Sequence, residues 1–457
     1  MSIIDLHRQL EAGDIPKRNL AEDRGLSEVR FGDLTGNAPF RAGLEYTPPA
    51  RGTWTISHTP MLVPGSLEIF VCPEGCLRGV VLSATEFGGM DRFAMITVKE
   101  NNLYDDSMED LFIEGVTDIL EHREELPTVL FLFSSCIHHM LATDTKNIFR
   151  VLRERFPTVR FVESDMNCTM RKSKLHFEEA MNRQVYAAID PKPLDGHTVN
   201  LIGNYFPLDP DCELLQMLHE VGYRVNDINR IRTFDEYLDF GAGAIDLYNH
   251  PMARVAAGTL AERCGALSLY APYCWDYDSI DQCFHAVSNA TGAPLPNLEE
   301  GKERAEQALT DLYDAIGDTE LQIDASATPR PLELAKLLIS HGFYVTAVYA
   351  DALSPEEEDA KHWLTENAPD VKLRAIVNFR SRVNPRNEAR LQDGRLIAIG
   401  QKAAYFTGTT HFVNLIYNSG LHGYEGIVKL CGQIRQAAEA ESPVKEIIQI
   451  KAWGCEA

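Results

Sequence analysis

From residue 196 onward the chain keeps returning to one unit: a short apolar run, a helix-length amphipathic stretch, a glycine, and a second apolar run. Residues 199–203 read as a strand, 209–221 as a helix stopped by Gly222, and 223–225 as the next strand. The unit recurs at 244–248, 251–263, Gly265 and 267–270, then at 321–324, 330–340, Gly342 and 344–348. Glycine ends a helix by taking left-handed backbone, and strands joined through helices of this size lie parallel. Residues 54–195 alternate in the same way, with strands at 67–71, 93–98, 128–133 and 159–162 and helices near 105–121, 144–156 and 174–188. An acidic helix at 297–316 precedes the last stretch, whose further strands are 372–377, 395–399 and 411–416. The expected fold is therefore α/β: three Rossmann-like domains with parallel doubly wound sheets, at 54–195, 196–318 and 319–457. Residues 1–53 lack sustained periodicity and read as an arm over the body or over a neighbouring subunit.

None of the three units carries a GxGxxG or GxxxxGK[ST] phosphate loop, so the chemistry must lie elsewhere. A net charge of -24 with no stripe of Lys and Arg argues against nucleic acid. No apolar run of eighteen residues and no signal-like start occur, which points to a cytoplasmic protein that does not enter a membrane. Ten cysteines without framework spacing are then free or metal-bound. Cys212, Cys264 and Cys431 fall in helix-like segments and are assigned to packing.

Three other thiols stand apart. Cys72 and Cys76 follow the strand 67–71 on a Pro/Gly turn, ahead of an apolar segment that reads as either helix or strand. Cys136 ends the strand 128–133 where a helix begins. Free N–H groups at a helix start favour an anionic thiolate, so Cys72, Cys76 and Cys136 are read as metal-cluster ligands. The same spacing admits zinc, with His58 or His138, or buried thiols. His138 and His139 point about 100° apart on a helix and cannot both face one site. Cys168 follows another strand end beside Arg171 and Lys172 and is read as a structural thiol. His422 sits in a glycine-flanked turn as a candidate metal ligand or proton donor. The aromatic stretch 270–278 lines either a pocket or an interface, and Arg380, Arg382 and Arg386 form a basic cluster suited to an anion or simply to a surface loop.

In order and spacing these parts resemble the nitrogenase component 1 superfamily from about residue 54 to 436. Gly75-Cys76, Ser135-Cys136, the stretch 200–205 and His422-Gly423-Tyr424-Glu425-Gly426 match its motifs. The resemblance implies an iron–sulfur cluster, [4Fe-4S] or larger, held by Cys72, Cys76 and Cys136 at a subunit interface. It also implies a homologous second subunit or second copy of this chain, and an ATP-dependent iron–sulfur reductase as electron donor. Two departures stand out: Asn249 occupies the place of the thiol that anchors nitrogenase's large cofactor, and no cysteine lies near Ala50, so Cys72 is expected to take over there. The implied function is reduction of a small or tetrapyrrole-like substrate, with His422 catalytic and an additional metallocofactor in question. The alternative is a scaffold that assembles and hands on a metallocofactor, and a third is a binding protein with one structural zinc.

Overall fold

The computed structural model describes residues 26–40, 56–104, 107–166, 175–378, 381, 396–443 and 447. Its fourteen described strands are β1 (Glu28–Arg30), β2 (Ser66–Pro73), β3 (Phe93–Val98), β4 (Val129–Ser135), β5 (Arg160–Met166), β6 (Asp195–Leu201), β7 (Arg224–Asp227), β8 (Gly243–Tyr248), β9 (Leu267–Tyr270), β10 (Glu320–Asp324), β11 (Val345–Tyr349), β12 (Lys372–Arg374), β13 (Leu396–Ile399) and β14 (Phe412–Val413). They form three sheets in the orders β3-β2-β4-β5, β7-β6-β8-β9 and β1-β12-β11-β10-β13-β14.

Every pairing is parallel except β1 with β12, where Glu28, Val29 and Arg30 run antiparallel to Arg374, Leu373 and Lys372. That strand corrects the all-parallel expectation. Residues 28–30, taken as part of an irregular arm, close an open sheet edge, and Glu28 is fixed there by Arg374 at 2.7 Å and Lys372 at 2.9 Å. Three residues are too short to show a period-2 pattern, which is why the strand is silent in the sequence.

Parallel strands covered on both faces need apolar side chains on both. All seven residues of β4, Val-Leu-Phe-Leu-Phe-Ser-Ser, are buried. One face packs Phe70, Phe131 and Phe133 under the helix Glu74–Phe87, with Phe70 and Phe133 stacked at 4.2 Å. The other packs Leu67, Ile69, Val71, Leu130 and Leu132 against the helices Met108–Glu121 and Thr145–Arg155. Helices Tyr277–Thr291 and Glu358–Asn367 complete the layers and had no counterpart in the sequence reading.

The strand orders locate the sites. In each sheet one strand (β2, β6 or β10) has its successor on one side and a later strand on the other. At such a switch point the connecting loops diverge to opposite faces and leave a crevice at the carboxyl ends, where α/β proteins bind ligands. The third crevice is filled from within: Asp324 accepts from the backbone N–H of Ser326 and of Ala403, both at 2.7 Å, and a Cβ on Gly400 would lie 2.3 Å from its Oδ2.

Candidate functional site

The first switch point lies between β2 and β4, and it carries the cysteines. β2 runs two residues beyond the expected strand, so Cys72 is a strand residue and not part of a turn. The following segment is helix Glu74–Phe87 and holds Cys76 in its first turn. β4 ends at Ser135, and Cys136 opens the single-turn helix Cys136–Met140. Phe70 pairs with Phe133, so extending the register sets Cys72 level with Ser135. Cys72 is fully buried, Cys136 half-buried and Cys76 exposed. Burial pushes the Cys72 thiol up to about 12, and the Cys76 and Cys136 thiols add to the rise as neighbouring negative charges. The three sulfurs thus share one electrostatic neighbourhood.

His138 turns inward. Its Nδ1 accepts from the Ser135 N–H at 3.0 Å, its ring meets Phe112 edge-on, and burial pushes its imidazole down to about 4. His139 turns outward to Asp165 at 3.1 Å, and Asp165 also accepts from the Ser134 hydroxyl at 3.2 Å. Met140 and Leu141, which follow His139, are exposed. Among the described residues no three His, Cys, Asp or Glu side chains are placed to hold a single metal ion. Cys76 and Cys136 can be reached from the surface, and Cys72 lies beneath them. Cys168, Arg171 and Lys172, and Arg380, Arg382 and Arg386, lie outside the described residues.

His422 is elsewhere, where the loops of the second and third sheets meet. It is the N-cap of helix Gly423–Glu439 and is buried against Tyr273 and Phe284. Its Nε2 faces the Ala271 carbonyl at 3.4 Å and Cys283 Sγ at 3.9 Å, while no described residue bonds Nδ1. Burial pushes the imidazole down to about 4. Asn249 is buried beside it and fully engaged: Nδ2 donates to the same Ala271 carbonyl at 2.5 Å, and Oδ1 accepts from Asn204 Nδ2 at 3.0 Å. Within the stretch 270–278, Ala271, Tyr273, Cys274 and Trp275 are interior and Asp278 is exposed, with Trp275 Nε1 donating to Thr328 at 2.9 Å across to the third sheet.

Around this junction stand Tyr205, from the stretch 200–205, and residues that no motif announced. Glu178, in helix Phe177–Val185, accepts the hydroxyls of Tyr205, at 3.1 Å, and of Tyr417 on one oxygen. Asn182 donates to Tyr205 Oη at 2.9 Å. His250 meets the Tyr417 ring edge-on at 4.5 Å, and burial pushes its imidazole down to about 3. Tyr417, Asn418 and Ser419 all have positive φ, at 45°, 61° and 46°. Such strain persists where surroundings over-determine it, and here Tyr417 and Asn418 N–H groups are bound by the carbonyls of Ser326 and Ala327. The usable sequence signal was Asn418 itself, a residue tolerant of left-handed backbone beside two glycines.

Three sheets of mostly parallel strands joined through helices define an α/β protein. The profile of the nitrogenase component 1 type oxidoreductases matches residues 112–438, and the chain belongs to that family. The matched span includes Cys136 and His422 and begins after Cys72 and Cys76. Among solved structures the chain is similar to "Nitrogenase Cp1 at pH 6.5", at 13% identity and a TM-score of 0.65 over 89% of this chain and 95% of that one. "Nitrogenase Cp1 at pH 5" gives 14% identity and a TM-score of 0.58 over 93% and 95%. At such identities the likeness establishes the fold alone. No curated protein sequence matches. No described helix is long and apolar enough to cross a membrane.

Proposed function

We propose that the chain is a subunit of a nitrogenase-like reductase, with an iron–sulfur cluster at the edge formed by β2 and β4. The carrying observation is the gathering of Cys72, Cys76 and Cys136 at the first switch point in a chain of this family. Cys76 and Cys136 would hold the cluster from the surface and Cys72 from beneath, with remaining ligands from a homologous subunit or a second copy. When bound, such a cluster supplies one-electron transfer. The electron donor would be an ATP-dependent iron–sulfur reductase, in keeping with a chain that has no phosphate loop. His422 then offers a neutral Nδ1 lone pair to a ligand in the junction, and its Nε2–H is committed to Ala271.

Anaerobic purification with iron and sulfide analysis and EPR tests this reading. Wild type should hold iron and sulfide in cluster ratio, and Cys76→Ala should lose both; zinc alone, or iron indifferent to that change, refutes it. The second reading, an assembly scaffold, is favoured by Asn249. Both its polar ends are satisfied where the family's anchoring thiol would stand, so the junction does not fit a thiolate-anchored cofactor. A purified protein that passes iron–sulfur cargo to an acceptor yet reduces nothing would select it.

A further inference from the structure

Several buried acceptors around the junction stand unpaired. Asn182 Oδ1, Asn204 Oδ1, Asn418 Oδ1 and His422 Nδ1 are all buried with no hydrogen-bond donor among the described residues. Their orientations are fixed, because the opposite end of each side chain leads to a group that can only accept. Asn182 Nδ2 reaches the Met252 carbonyl at 3.3 Å, and Asn418 Nδ2 the Leu421 carbonyl at 3.1 Å. Asn204 Nδ2 serves Asn249 Oδ1, whose own Nδ2 ends on the Ala271 carbonyl, where His422 Nε2 also points. Turning any amide or switching the imidazole tautomer would set acceptor against acceptor.

Three of the four side chains belong to two short bonded chains, and Asn418 is the sequence neighbour of a member of one of them. One runs Asn182, Tyr205, Glu178, Tyr417; the other runs Asn204, Asn249, Ala271, His422. The neighbours 204/205 and 249/250 tie them, as do 417/418, since His250 packs on Tyr417 and Asn418 bonds the carbonyl next to His422. Glu178 and Asn182 are one helical turn apart on the same face. Glu178 is buried, and no Lys, Arg or His among the described residues pairs with it, whereas the adjacent Glu179 pairs with Arg254 at 3.2 Å. A buried carboxyl and four buried acceptors without donors is a costly arrangement by itself and a complementary one for a donor-rich cation.

We propose that this junction binds a small ammonium-type cation, NH4+ or a primary R–NH3+ group, with Glu178 as counter-charge and the amide oxygens and His422 Nδ1 as acceptors. Alkali ions share the charge, but they coordinate oxygen and gain little from an imidazole nitrogen, whereas an N–H bond serves both atom types. The inference stands apart from the cluster reading, since no cysteine takes part.

The test uses the full chain free of iron. Thermal unfolding is followed at constant ionic strength in ammonium, methylammonium, potassium and tetramethylammonium chloride, and equilibrium dialysis with radiolabelled methylammonium gives the stoichiometry. The expected result is a saturable rise in Tm with ammonium and methylammonium and none with tetramethylammonium, which has no N–H. About one methylammonium should bind per chain and resist excess potassium, and Glu178→Gln should abolish both effects. Equal action of all four salts, equal action of potassium, or no binding by dialysis each overturns the proposal. If Glu178→Gln does not fold, the dialysis on wild type decides alone.

Discussion

The two candidate regions are built on the same topological device and treat it oppositely. At the first switch point the crevice opens outward, with Cys76 exposed, Cys136 half-buried and glycines that face open space: a Cβ on Gly75 or Gly79 meets nothing within 4 Å. At the second, Gly203 has φ +75° and a Cβ there would lie 2.3 Å from that of Ala253; on Gly423 it would lie 2.5 Å from Glu213 Oε2. An open edge can be completed only by another molecule, and a closed junction can admit only something small. This predicts that the first site is sensitive to chemistry and tolerant of volume, and that the second is sensitive to volume as well as to chemistry.

The sharpest way to break the contrast is at the thiols. Cys76→Ala and Cys136→Ala should each abolish bound iron and sulfide, measured colorimetrically, while the thermal unfolding of the apo-chain stays that of wild type. A large fall in apo-chain stability from Cys76→Ala would mean that the residue is structural. The complementary change is Gly203→Ala. Left-handed backbone for a non-glycine residue and an overlapping Cβ together should cost about 3 kcal/mol or more by urea unfolding, with Gly75→Ala neutral in the same assay.

What the sequence disclosed follows the same division. The strands β3 and β9 coincide with their expected limits, and the cysteine-bearing loops were legible because a buried apolar strand running into a turn or helix leaves a local signal. Cys72 was misplaced by one element because Cys and Pro seldom mark strand interior, yet Cys72 pairs with Thr97 inside the sheet. The junction was legible at His422, at Asn249 and in the stretch 200–205, and not at Glu178 or Tyr417. Glu178, Tyr205 and Tyr417 are brought together across more than two hundred residues, and a carboxyl inside an amphipathic helix looks like solvated surface until the tertiary fold buries it.

Acid should probe the buried histidine of the junction next, by substitution, because His138 at the first site is pushed down likewise. Buried His422 titrates near 4 where an unfolded histidine titrates near 6.5, so between those pH values the unfolded chain holds more protons and stability falls as pH falls. The full loss, reached below pH 4, is on the order of 3 kcal/mol for this residue. The raised carboxyls of Glu178, Glu213 and Asp246 work against it, since in the fold they keep protons to higher pH. The readout is therefore a difference: His422→Gln should show a shallower decline in unfolding free energy from pH 6.5 to 4 than wild type. Identical slopes would place a charged partner at His422.

The smallest effect concerns the first site alone and asks whether its three sulfurs are as unequal as their burial makes them. Alkylation needs both thiolate and access. Cys72 is sealed beneath the edge and its thiol is pushed up to about 12, so at pH 8 almost none of it is ionised. Iodoacetamide on the apo-chain, followed by peptide mass spectrometry, should mark Cys76 first, Cys136 more slowly, and Cys72 only once the chain is unfolded. A metal that later engages Cys72 must displace its proton, so loading should be steeper with pH than two surface thiols alone would give. Prompt labelling of Cys72 in the native chain would mean that the edge opens on its own, and the contrast between an accessible rim and a sealed floor would then describe a fluctuation and not the resting fold.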